Sequence, residues 1–132
     1  MSVPGTRGYA LNRTRNAYLA THLRLAATHW SRFRGLMGAE AETFPAGDGL
    51  WIVPCHGVHT FAMRFPIDVV YLDGDKIVVY MQQNLKPWRV APLRMSASSV
   101  LELPGRTLSS TQTAIGDEIE IALGQAGEAT QA

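Results

Sequence analysis

The sequence predicts a mainly β protein, a compact small β-barrel or two-sheet sandwich, with one short helix near residues 29–37. Three observations predict it. Apolar residues alternate with polar ones, or run unbroken, in short segments of even spacing. Asp73-Gly74 sits between "IDVVYL" and "KIVVYM", and Asp-Gly between two β-rich runs is the strongest short-range hairpin signal. Only "THWSRFRGLMG" carries the period of a helix. The 132 residues suffice for one domain with a core and are too few for two ordinary ones.

Taken in order, residues 1–16 read as a flexible basic arm, 17–123 as a single β-rich domain and 124–132 as a flexible tail. Arg7, Arg13, Arg15, Arg24, Arg32 and Arg34 all precede the first acid, Glu40. "YLATHLRLA" alternates, with Leu19, Thr21, Leu23 and Leu25 on one side, as a half-buried strand does. In the helix, Trp30, Phe33, Leu36 and Met37 share a face, Thr28 is the N-cap and Gly38 the stop. "AEAETFPAGDG" is a loop and "LWIV" a short buried strand. From Val58 to Phe65 the pattern alternates again, placing His59, Phe61, Met63 and Phe65 on one face, until Pro66 bends the chain. The hairpin then follows, with Gly74 expected at positive φ. "QNLKPWRVAPLR" is an extended loop, "SVLELP" a strand, and "DEIEIAL" the last strand.

Composition excludes some classes. At 46% hydrophobic and 17% charged residues the chain is an ordinary globular protein, and its net charge of +1 calls for no acidic or basic partner. The single cysteine, Cys55, makes no intramolecular disulfide. No apolar run approaches the roughly 18 residues of a membrane span, and the expected location is cytoplasmic.

The chemistry-bearing residues cluster in "PCHGVHTFAMRFPID". A Cys55 nucleophile needs an imidazole at hydrogen-bond distance. On a strand His56 points to the opposite face, and His59 lies roughly 13 Å along, so the pair meets only if residues 56–58 turn back. The donor atoms suit zinc or copper, but "C-H-x-x-H-x-x-x-M" fits no familiar ligand spacing, and no metal or cofactor is expected. Asp68 is the sharper signal. A carboxylate in an apolar run needs a partner, either backbone N–H groups that lock the bend after Pro66 or an arginine, Arg64 or Arg34. With an arginine it would form the polar floor of a pocket otherwise lined by aromatics and Met. Trp88, flanked by Lys86, Arg89 and Arg94, reads first as a plug for one end of the barrel, and second as a binding lip or a platform for a nucleobase.

In sequence order, "FRGLMG", "GLWIVPC", "HTFAMRFPIDVVYLD", "VLELPG" and "IGDEIEI" resemble the family called domain of unknown function number 192. Arg34, Gly35, Leu36 and Met37 match its first motif. Phe61, Met63, Ile67 and Asp68 match the second, and Leu101, Glu102, Pro104, Gly116 and Asp117 the last. The likeness spans about Leu23 to Ile121. It implies a barrel- or sandwich-like β domain and no activity.

The function expected from all this is a small binding module with one apolar pocket. Its ligand-binding candidates are His59, Met63, Asp68, Arg34, Arg64 and Trp88, and its ligand a small molecule or a protein. Two alternatives stand beside it: a small hydrolase using Cys55 or a metal, and a nucleic-acid binder using the N-terminal arginines and the Trp88 loop.

Overall fold

In the computed structural model, residues 8–26, 44–60 and 63–124 are described. They form strands β1 (Gly8–Asn12), β2 (Ala17–Ala26), β3 (Asp48–Ile52), β4 (Ile67–Leu72), β5 (Val78–Leu85), β6 (Ser99–Pro104) and β7 (Ile119–Ala122), with helix α1 (Thr107–Thr111) between β6 and β7. The strands join one sheet in the order β5-β4-β6-β3-β2-β1-β7. β2 and β3 run parallel, and the remaining neighbours are antiparallel.

The sheet curls until its edges meet at one end. Ile77 bridges Glu118, and the Val78 N–H reaches the Asp117 carbonyl at 2.9 Å. The result is the mostly β fold that the alternation predicts, part half-barrel and part sandwich. The concave face holds Leu19, Leu23, Val70, Leu72, Leu101, Leu103 and Leu108. The opposite face of β3, β4 and β6 holds Leu50, Ile52, Ile67, Val69, Tyr71 and Val100, covered by Phe44, Met63 and Phe65. β4 and β6 are therefore buried on both faces over their whole length. That is why "IDVVYL" and "SVLELP" read as nearly unbroken apolar runs. Each of these two strands also carries one carboxylate, Asp68 and Glu102.

Close packing fixes Gly49 on the concave face. A Cβ there would sit 2.8 Å from Ala20 Cβ and 3.2 Å from both Leu103 and Leu23.

Several expectations are corrected. Residues 8–12 are not part of a flexible arm: β1 is hydrogen-bonded between β2 and β7. Its inward positions are Gly8, Ala10 and Asn12, too small or polar to signal a strand. β2 forms, but shifts in its pairing with β1 break its alternation, so Leu19 and Ala20 are both buried while Thr21 and His22 are exposed. No strand covers the described part of 58–65. Met63 N–H turns back to the Thr60 carbonyl, and His59 pairs only as an isolated bridge with Val90. The expected single face splits, with Met63 and Phe65 buried and His59 exposed. The hairpin is present, but positive φ falls on Lys76 at 62°, not on Gly74. The Asp73 side chain accepts the N–H of Asp75 and of Ile77 and so lengthens the turn. The helix near 29–37, Arg34 and Phe61 lie outside the described residues.

Candidate functional site

A cleft of about 540 Å³ opens where β4 starts, β5 ends and α1 begins. The rings of Phe44 and Phe65, 6.0 Å apart, form its apolar side with Pro66 and Pro104. Gln83, Asn84, Arg106 and Ser109 supply its polar side, and Asp68 lies at its floor.

Asp68 explains why this cleft exists. The β4–β5 register shifts between Ile67 and Val69, an irregularity that lies opposite the end of β5. There Asn84 takes a left-handed φ of 53°, and its N–H leaves the ladder. Asp68 Oδ1 accepts that N–H at 2.9 Å. Helix α1 has the complementary need. Its first turn carries unpaired N–H groups, and its N-cap residue Arg106, at φ 72°, gives no side-chain cap. Asp68 Oδ2 takes the Leu108 N–H at 2.9 Å and caps the helix from the facing strand. One fully buried carboxylate thus binds β4, β5 and α1 together. Of the two expectations for Asp68, backbone N–H groups are its partners, though not those of the bend after Pro66.

Arg106 lines the cleft with an exposed side chain that makes no ion pair among the described residues. Its carbonyl anchors α1 instead, accepting from Ser109 Oγ and the Ser110 N–H. Glu102 is two residues inward from Pro104 on the same side of β6. Its Oε1 is buried without a hydrogen-bond partner. Burial in this apolar layer pushes its carboxyl up to about 7.

The other sequence candidates go elsewhere. Met63 is buried in the same core cluster as Phe44 and Phe65 and does not line the cleft. His59 and Arg64 are exposed and do not line it. Trp88 is 63% exposed with φ 61° and plugs nothing; a left-handed backbone turns it outward from the loop. The Cys55 thiol is half-buried and donates to the Gly57 carbonyl at 3.0 Å. His56 Nδ1 lies 2.7 Å from the Ala97 carbonyl, so this nitrogen carries the proton. Among the described residues no three His, Cys, Asp or Glu side chains gather as a metal site.

The Gly116-Asp117 motif is structural. Asp117 Oδ2 accepts from Asn12 Nδ2, Arg15 Nε and the Ala114 N–H, each at 2.9 Å. Burial raises its pKa, but the bonds from Arg15, Asn12 and Ala114 outweigh this and hold it below the usual value. Arg13 pairs with Glu120 at 2.8 Å. Two arginines of the expected arm are therefore tied to the β7 end of the sheet rather than free for nucleic acid.

Sequence reasoning missed Arg106, Phe44, Gln83 and Asn84, which no local pattern marks. Glu102 did carry a signal, the same one as Asp68: a carboxylate inside a buried run.

The fold and motifs have counterparts. Residues 10–121 match the DUF192 family, described as Uncharacterized ACR. A UPF0127 protein of Pyrococcus furiosus is 30% identical over 115 residues, covering 83% of this chain and 95% of its own. A UPF0127 protein of Thermococcus sibiricus is 29% identical over 115 residues, covering 83% and 72%. Among solved structures, a protein of unknown function from Novosphingobium aromaticivorans superposes with a TM-score of 0.69 at 19% identity, over 91% of each chain. A Sinorhizobium meliloti protein put forward as a transcription regulator superposes at 0.70 with 18% identity, over 87% of this chain and 92% of its own. At these identities the two structures show a shared fold. With motifs and fold agreeing over most of its length, the chain belongs to the DUF192 family.

Proposed function

We propose that this DUF192 protein is a small binding module whose cleft takes a small molecule with an apolar, ring-sized body and an anionic or acceptor group. The observation that carries this reading is the pairing of the Phe44–Phe65 wall with Arg106 across one cleft of about 540 Å³. Apolar walls with a few placed polar groups are what small-molecule sites share. Asp68 enters as the positioning residue that holds the cleft's strands and helix, and Met63 as a member of the core cluster that includes Phe44 and Phe65. Trp88 belongs to another surface, treated below, and His59 and Arg64 do not line the cleft. The hydrolase alternative draws no support from Cys55, whose S–H is engaged by a backbone carbonyl. A cytoplasmic location is part of the same proposal; no helix among the described residues is long and apolar enough to cross a membrane.

Amide shift mapping by NMR with benzoate, phenyl phosphate and cyclohexanol tests the reading. The two anions should shift Gln83, Asn84, Arg106 and Ser109 together, and cyclohexanol more weakly. Shifts confined to residues around Cys55 and His59, or none at all, would remove it.

A further inference from the structure

Four large apolar side chains are exposed within eight residues of one segment: Trp88 at 63%, Val90 at 68%, Leu93 at 68% and Met95 at 71%. Scattered exposed apolar residues need no explanation, but a group of this density on one segment does. The segment is not a loose loop, because it is bonded along its length to residues 56–60. The Trp88 N–H reaches the Thr60 carbonyl at 2.9 Å, and the Thr60 N–H reaches the Arg89 carbonyl at 2.8 Å. Fully buried Thr60 also bonds through its hydroxyl to the Lys86 carbonyl at 2.6 Å and accepts the Arg89 N–H at 2.8 Å. Further along, Ala91 N–H bonds Val58, Arg94 N–H bonds His56, and the Tyr71 hydroxyl holds the Pro92 carbonyl. The backbone is fixed, and the apolar side chains are held out from it.

Charge says what the surface meets. Lys86, Arg89 and Arg94 are exposed along the same segment. No Asp or Glu occurs anywhere in residues 76–101, nor in residues 49–67, which include its bonded partner. In a chain of net charge +1 this is a local cationic surface without a counter-charge in its own sequence. Arg94 lies with its guanidinium carbon 4.6 Å from the Tyr80 ring centroid, a cation–π contact that holds this cation of the segment in place.

We propose that residues 86–95 form a membrane-docking surface for bilayers that contain anionic lipid. Trp88 lies at the headgroup level, Val90, Leu93 and Met95 enter the acyl boundary, and Lys86, Arg89 and Arg94 pair with lipid phosphates and carboxylates. A nucleic acid would use Trp88 and the cations but has nothing to bury Val90, Leu93 and Met95 against. A bilayer uses all seven and needs no matching groove. The surface is separate from the cleft, so a ligand there is not required for docking.

Co-sedimentation of the full chain with vesicles tests the proposal. Binding is expected to phosphatidylcholine vesicles carrying about a third phosphatidylserine, to weaken with salt, and to be far lower on pure phosphatidylcholine. Lys86→Gln with Arg89→Gln should weaken it by about fivefold per cation removed. Leu93→Ser with Met95→Ser should weaken it more than tenfold at unchanged charge. Arg106→Gln, in the cleft, should leave it unchanged. Unaltered urea midpoints establish that both double variants are folded. Equal binding to both vesicle types, no binding to either, or binding unaffected by either double variant would overturn the proposal. So would capture by single-stranded DNA with the same sensitivity to Leu93→Ser and Met95→Ser, which would assign the surface to another partner.

Discussion

Replacing Asp68 by alanine removes the one acceptor that serves two backbone donors, Asn84 N–H and Leu108 N–H. The Leu108 bond is buried and the Asn84 bond partly so. A buried donor left without a partner costs about 1–3 kcal/mol, and the bonds lost here are to a carboxylate. The sum is about 2–4 kcal/mol, with the Leu108 side supplying the larger share. The five-residue helix α1 has no means of retaining its first turn alone, since isolated helices of this length do not form. Asp68→Asn should cost less than alanine: its amide oxygen keeps one bond, while its NH2 group faces the other N–H, donor against donor. Urea denaturation gives the stabilities, and amide hydrogen exchange gives the location. Exchange at Leu108 and Asn84 should accelerate well before the rest of the sheet. If Asp68→Ala unfolds within about 0.5 kcal/mol of the parent chain, the capping argument is wrong, and with it the explanation of the cleft.

Glu102 should make stability fall with rising pH. Its pKa is raised by burial from 4.5 to about 7, so its contribution is fully present below about pH 4.5 and is lost as pH rises through 7. That difference corresponds to about 3 kcal/mol. Glu102→Gln should flatten this limb in urea titrations between about pH 5 and pH 8; a parent chain with no such limb contradicts the assignment. Asp117 has the opposite sign, since its lowered pKa gives stability that is present at neutral pH and lost on acidification. Asp117→Asn should lower neutral-pH stability by about 1–2 kcal/mol and weaken the acid dependence, measured by thermal melts in low-pH buffers. Gly74→Ala should be neutral or stabilising by up to about 1 kcal/mol, because its φ is not positive and a Cβ there meets only Ser98 Oγ at 3.8 Å. A loss of unfolding free energy above about 1 kcal/mol in urea denaturation would return the left-handed residue to that position.

The strands buried on both faces are legible because almost nothing but apolar side chains fits there, and Asp68 stands out for that reason; Glu102 carries the same signal but enters the sequence reading only as a match to a family motif. Asp68 could be marked as needing a partner, but not which one. Its partners are main-chain N–H groups of residues 16 and 40 positions away, set by a register shift and a helix start that no local pattern encodes. β1 carries no strand signal because Gly8, Ala10 and Asn12 fill its inward positions; small residues are needed there, where a Cβ on Gly8 would lie 2.8 Å from the Leu23 carbonyl oxygen. The alternation of 58–65 was real but not that of a strand in the sheet, since the Thr60–Met63 turn breaks it. The usual burial of large aromatics predicts a plug at Trp88, but the residue sits at positive φ on a pinned ribbon and is exposed. Arg106 had no signal at all, because what makes it notable is a cleft assembled from three separate segments.

An NMR titration of benzoate against the parent chain and Arg106→Gln decides whether the cleft between the Phe44–Phe65 wall and Arg106 is the binding site. The Arg106 side chain is exposed, and the bonds that anchor α1 use its carbonyl, which glutamine keeps, so the variant should fold as the parent does. Saturable shifts are expected at Gln83, Asn84 and Ser109 in the parent chain, with an affinity at least fivefold weaker in the variant, the usual effect of losing one charge-assisted contact. Equal affinity in the two proteins, or saturable shifts only on residues remote from the cleft, would contradict it.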